Sequence, residues 1–214
     1  MPSDIDAGRR APRRDATANR EALLTAASGA LAASPDASLE AIAAAAGLTR
    51  RAVYGHFANR DELVFALIER GATRLNTLAA TLDHPSAPIA IALLGARLWH
   101  AVEHVRLLAG MALTTPYVER VAAALTPVRQ QLARLVERGV DDGSLRGDIR
   151  PPLLARLIEE SAIAVLVEAA KTGMSDTEGH RLVMLAVLGT AGLSWREAGA
   201  LIDTSPELDS PEPR

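Results

Sequence analysis

The side chains best suited to chemistry in this 214-residue chain lie within one short stretch. Arg50 and Arg51 stand side by side, with Thr49 before them and Tyr54 after. A guanidinium donates two hydrogen bonds to O6 and N7 of guanine, while threonine and tyrosine hydroxyls suit phosphate oxygens. A second constellation suits a metal. His100 and His104, with Glu103 between them, fit the inverted zinc-peptidase pattern, and imidazoles one helical turn apart share a zinc ion. Hydrolysis there needs a third protein ligand, and nothing in the sequence obliges Glu159 or Glu160 to converge on that helix. Histidines satisfied on a half-exposed helix account for the pattern more simply. With no glycine-rich phosphate loop and no GxSxG elbow, the chain is expected to be neither an enzyme nor a holder of a cofactor or metal.

The arginines need elements to present them. Ser38 caps a short helix in which Leu39, Ile42, Ala43 and Ala46 recur at helical spacing. Gly47 ends it, because a tight turn between two short helices needs positive φ. Leu48 then tucks inward and Thr49 caps the next helix. At about 100° per residue, Arg50, Arg51, Tyr54 and Gly55 fall on one arc of about 140° and Ala52, Val53, His56 and Phe57 on the opposite one. With Val53 and Phe57 turned inward, both arginines project from the first turn, where a recognition helix meets base edges.

This syntax, from SLEAIAAAAGLTRRAVYGHF through the following NRDEL, closely resembles the DNA-binding domain of the tetracycline-repressor (TetR) family, over about residues 17–67. The resemblance implies an all-α homodimer: an N-terminal three-helix helix-turn-helix domain and a C-terminal helical domain for ligand binding and dimerisation. It assigns base reading to Arg50, Arg51 and the Gly55 position, and phosphate contacts to Ser38, Thr49, Tyr54, His56 and Arg60, although His56 lies on the inward arc. Gly55 stands where many members carry a larger side chain, so readout leans on the two arginines. The function implied is a repressor that binds a palindromic operator in double-stranded DNA and is released by a small molecule. An activator or a ligand-independent regulator of the same fold is the alternative.

Composition agrees. The net charge is −3, which excludes a generally basic coat, yet residues 9–60 hold eight arginines against four acids. Arg9, Arg10, Arg13 and Arg14 form a basic arm able to reach a neighbouring minor groove. Residues 1–14 and 204–214 lack periodicity and are expected to be mobile tails. Residues 15–60 then form the helix-turn-helix domain, 61–82 a connecting helix and 83–203 the second domain, bounded by the proline-interrupted segment 83–88. The first helix is expected from about Thr17 to Ala33, with Leu23, Leu24, Ala27 and Leu31 on its inner face. Later helices fall near 88–109, 116–124, 127–141, 152–172 and 177–200.

The last two are apolar almost all round, which predicts burial against the chain's own helices and a second subunit, through Leu157, Val165, Leu182, Leu185 and Leu188. Trp99, His100, His104, Met111, Tyr117 and Met174 are the larger or polarisable side chains of the second region and form a candidate pocket wall for an apolar or amphipathic effector. Cysteine is absent and no apolar run approaches the roughly 18 residues of a spanning helix, so the expectation is a cytoplasmic protein without membrane contact.

Overall fold

The computed structural model describes residues 7–209 apart from 103–104, 106–108, 111 and 114–115, with side chains from residue 20 onward. Among the described residues there are ten α-helices and no strand. They are α1 (Ala7–Ala33), α2 (Leu39–Ala45), α3 (Arg50–Tyr54), α4 (Arg60–Ala80), α5 (Ala87–Val102), α6 (Val118–Ala124), α7 (Thr126–Asp141), α8 (Pro151–Thr172), α9 (Asp176–Ala191) and α10 (Trp195–Thr204), followed by a 3-10 turn at Pro206–Leu208. None of the described helices is long and apolar enough to cross a membrane. Two compact units divide between Glu69 and Arg70, inside α4 and upstream of the expected boundary at 83–88.

In the first unit, Leu23, Leu24, Ala27 and Leu31 of α1 are all buried, as their spacing predicts. They share a core with Leu39, Ile42 and Ala43 of α2, Val53 and Phe57 of the α3 segment, and Leu63 and Val64 of α4. Helix α1 begins ten residues earlier than expected, so the backbone of Arg9, Arg10, Arg13 and Arg14 is helical instead of an aperiodic tail. Apolar periodicity starts only at Leu23. Upstream, alanine and arginine sustain a helix by propensity, which a search for an apolar face does not register.

In the second unit, α5 is the most enclosed helix, buried from Ala87 to Ala96 except at Ile89 and again at Trp99. It packs against α7 and α9, α8 lies against both of those helices, and α10 is set against α9. Gly95 permits close approach, since a Cβ there would stand 3.7 Å from Val183. The apolar segment expected to run to residue 200 divides. Gly192 takes φ +114°, α9 stops, and Ser194 starts α10 with a complete capping box to Glu197. A side chain at Gly192 would also meet the backbone of Arg146, whose N–H donates to Ala191 O at 3.0 Å. In the single chain α8 and α9 are not enclosed on all sides. Leu153, Leu157 and Leu182 are exposed, whereas Val165 and Leu188 point into the chain's own core, which removes the latter two from any surface between subunits.

One half-buried group couples this unit to pH. Burial pushes the His180 imidazole below its ordinary value of 6.5, aided by repulsion from His100 and opposed by Asp176 and Asp209. Its Nε2 is enclosed with no hydrogen-bond partner among the described residues. The unfolded imidazole takes up a proton as pH falls through about 6.5 while the folded one stays neutral, so stability declines as pH falls below that value and levels off beneath the folded pKa. Thermal midpoints are expected to be lower at about pH 5.5 than at about pH 7.5, with a shallower dependence in His180→Gln. Equal slopes in the two proteins would contradict this origin.

Candidate nucleic-acid interface

Helices α2 and α3 are joined by a turn that the backbone closes unaided. Ser38 Oγ accepts from Ala41 N at 3.2 Å and caps α2; Thr49 Oγ1 accepts from Ala52 N at 3.3 Å and caps α3. Between them Gly47 adopts φ +66°, its N–H donates to Ala44 O at 3.0 Å, and the Leu48 N–H reaches Ala43 O at the same distance. Each capping hydroxyl uses an oxygen lone pair, so its O–H stays available to a phosphate. Capping therefore leaves the phosphate role expected of Ser38 and Thr49 chemically open to them.

Val53 and Phe57 are buried, and Arg50, Arg51, Tyr54 and Gly55 lie together on the exposed face. Gly55 has φ −72°, open to any residue, and a Cβ there would lie 3.3 Å from Ala52 O. Its lack of a side chain is a matter of surface shape more than of backbone strain. His56 is half-buried, as its place on the inward arc implies.

Glu40 is the residue that sequence reasoning missed. From α2 its Oε1 accepts a hydrogen bond from Tyr54 Oη at 3.0 Å and lies 3.4 Å from Arg50 Nη2. The Arg50 guanidinium also stands 5.3 Å from the Tyr54 ring centroid, within cation–π range. A hydrogen bond at its own backbone amide, then the Tyr54 hydroxyl and the Arg50 charge, hold the Glu40 carboxyl below its ordinary value. A carboxylate thus sits among the groups expected to face DNA. A second brace comes from α1, whose Arg20 stands 5.3 Å from the Phe57 ring centroid.

Arg60 is a correction. Its Nε donates to Ala37 O at 3.2 Å and its Nη2 to Pro35 O, so the guanidinium clamps the loop before α2 instead of standing clear for phosphate. That loop carries backbone carbonyls without a helical ladder, and a guanidinium within reach satisfies two of them. The same helix start is well capped. Asn59 Oδ1 accepts from Glu62 N at 2.9 Å, and Glu62 Oε2 accepts from Ala58 N at 2.6 Å.

The second unit contains a cavity of about 160 Å³. Of the expected wall residues it includes Trp99; His100, Tyr117 and Met174 do not line it, and Tyr117 is buried elsewhere in the unit. His104 and Met111, like Glu103 of the zinc-peptidase pattern, lie outside the described residues. Among the described residues no group of three or more histidine, aspartate or glutamate side chains is placed to hold a metal ion. The lining is otherwise aliphatic, from α5 and α8 chiefly with smaller shares from α7 and α9, and Arg129 and Glu159 are its two charged members. Size and polarisability, the criteria applied to the sequence, favour aromatics and histidines. Aliphatic walls have no such marker.

Residues 33–67 match the sequence profile of the bacterial regulatory proteins of the tetR family. No curated protein sequence matches the chain. Among solved structures the chain is similar to SmeT, the repressor of the Stenotrophomonas maltophilia multidrug efflux pump SmeDEF, at 24% identity and a TM-score of 0.64, covering 79% of this chain and 88% of that one. A SmeT–triclosan complex matches at 25% identity and a TM-score of 0.62, over 80% and 90% of the two chains. The transcriptional regulator FadR of Bacillus subtilis in complex with stearoyl-CoA matches at 14% identity and a TM-score of 0.68, over 80% and 97%. The capped helix-turn-helix and its exposed arginine pair lie within the very segment that matches the tetR-family profile of DNA-binding regulators, and the chain as a whole shares the fold of these solved transcription regulators.

Proposed function

We propose that the chain is a repressor, that it binds a palindromic operator as a homodimer, and that a small molecule in the second unit's cavity releases it. The observation that carries this reading is the cavity itself: an apolar chamber built in a different unit from the recognition helix, as a ligand-controlled switch requires. SmeT with triclosan and FadR with stearoyl-CoA, relatives in fold, support ligand control. A ligand that favours a dimer conformation unable to span two half-sites lowers DNA affinity by its differential affinity for the two conformations.

The dimer reading rests on exposed apolar side chains of α8 and α9. Leu153 and Leu157 are one helical turn apart, and Leu182 is followed at helical spacing by half-buried Leu185 and Ala186. A two-fold axis through such a face presents two recognition helices to two inverted half-sites. Leu157→Glu combined with Leu182→Glu is expected to turn a dimer at micromolar concentration into a folded monomer in sedimentation experiments. An unchanged dimer would move the interface elsewhere. The test of the whole is selection of bound sites from random duplex DNA, followed by release with candidate metabolites. Inverted repeats and ligand-dependent release are expected; single, non-repeated sites would contradict the dimeric operator.

A further inference from the structure

The chemistry of the cavity wall restricts what it accepts, provided that the cavity is the effector site as read above. Hydrocarbon dominates the wall: Leu94, Leu98 and Trp99 of α5, Ile158, Ile163 and Leu166 of α8, and others like them. Arg129 of α7 and Glu159 of α8 form a tight pair within it. Arg129 Nε donates to Glu159 Oε1 at 2.7 Å, its Nη2 stands 2.7 Å from the same oxygen as an ion pair, and Arg129 Nη1 donates to Ala122 O at 2.9 Å. Glu159 Oε2 accepts from Arg156 Nη1 at 3.3 Å, while Arg156 also pairs with Glu160 at 2.5 Å. Two arginines thus face two glutamates, and the charges cancel.

The hydrogen-bond inventory is uneven although the charges balance. A carboxylate offers about four lone-pair sites and a guanidinium five N–H donors. Glu159 Oε1 is occupied by Nε and Nη2 of Arg129, whereas Oε2 accepts from Arg156 Nη1 and has one acceptor site left, and Arg129 keeps N–H groups beyond the two that donate hydrogen bonds. One acceptor and one donor set therefore remain at the polar end of an otherwise apolar chamber. A charged ligand would be desolvated here with no counter-charge to meet it, because each wall charge is already neutralised. A pure hydrocarbon would strip water from the remaining donor and acceptor without replacing it.

We propose that the ligand is a neutral, mainly apolar molecule with one hydroxyl, whose O–H donates to Glu159 Oε2 while its oxygen accepts from the Arg129 guanidinium. Glu159 and Arg129 then act as specificity-determining residues, and ligand charge is selected against by their mutual neutralisation.

Trp99 lines the cavity and is buried, while Trp195, the other tryptophan, is 73% exposed. In the full chain carrying Trp195→Phe, Trp99 fluorescence reports occupancy alone. Four probes of one shape separate the possibilities: para-propylphenol, propylbenzene, para-propylbenzoate and para-propylbenzylammonium. The phenol is expected to bind at least about tenfold more tightly than each of the others, a difference of about 1.4 kcal/mol. Glu159→Gln removes the counter-charge of Arg129, and the benzoate is then expected to gain at least about tenfold relative to the phenol; Arg129→Gln should favour the ammonium instead. Benzoate or ammonium binding the unsubstituted pair more tightly than the phenol would overturn the proposal, as would discrimination unchanged in both variants. If the phenol binds as stated but leaves the selected operator bound, ligand-induced release falls and the ligand class stands. If no probe binds, the cavity is not a ligand site and both fall.

Discussion

Arg50→Ala is expected to weaken binding to the selected operator by about 1–3 kcal/mol, or about 5- to 150-fold, and to relax sequence preference at one position of each half-site. The exposed guanidinium stands on the first turn of α3, the position from which a recognition helix meets base edges, and bidentate pairing with guanine is the contact expected to discriminate. Guanine should therefore be prominent in each half-site. In the free protein the same group is drawn toward Glu40 and stacked over Tyr54, so entering the groove means exchanging one partner for another. Tyr54→Phe gives the contrast. Loss of a phosphate-directed hydroxyl should weaken specific and non-specific duplexes alike and lower the salt slope by about one. Titrations of both variants against the operator and a scrambled duplex at several salt concentrations separate the two patterns. Unchanged affinity in both would remove α3 from the interface.

The second large effect is on stability. Gly179→Ala is expected to destabilise the second unit by about 1–3 kcal/mol, because the added methyl overlaps the Trp99 ring, with Trp99 Cε2 only 2.8 Å away. An indole is rigid and this one is enclosed by core on its other sides, so relief requires movement of the ring or of α9. For a chain of this size the thermal midpoint falls by roughly 2–4 °C per kcal/mol. Because Trp99 also forms cavity wall, ligand affinity should fall too. Gly199→Ala is the control: it lies in α10 with no neighbouring atom within 4 Å of the new methyl, and alanine favours the helix by roughly 0.5–1 kcal/mol. A destabilisation as large at Gly199 as at Gly179 would assign the effect to something other than the tryptophan.

The helix-turn-helix was legible before any coordinates because its determinants are local. Ser38, Gly47 and Thr49 act within four residues of themselves, as caps and a positive-φ turn, and the faces of α3 follow from helical spacing alone. Glu40 escaped notice for the opposite reason. It lies 14 residues from Tyr54, and its carboxylate acquires meaning only when α2 and α3 cross. Arg60 shows the same dependence, since its partners Pro35 and Ala37 lie 25 and 23 residues away and convert an arginine expected to be free for phosphate into a loop clamp.

The second unit was legible as helices and less so as surfaces. Apolar composition marked α8 and α9 as buried, yet the single chain encloses α5 most fully and leaves Leu153, Leu157 and Leu182 exposed. Val165 and Leu188 have the same chemistry as their exposed neighbours and differ only in the direction each faces. The break at Gly192 required a glycine and a capping serine to be weighed against a continuous apolar run.

The all-α class, the arginine-bearing helix α3 and the caps and turns that build it thus follow from the order of residues alone, because propensity, periodicity and capping act between residues a few positions apart. Which side chains meet depends on the packed helices: Glu40 with Arg50, Arg60 with the loop before α2, Arg129 with Glu159 in an aliphatic cavity. Those contacts join residues 10 to 30 positions apart, and only the packing of whole helices brings them within hydrogen-bond or ion-pair reach.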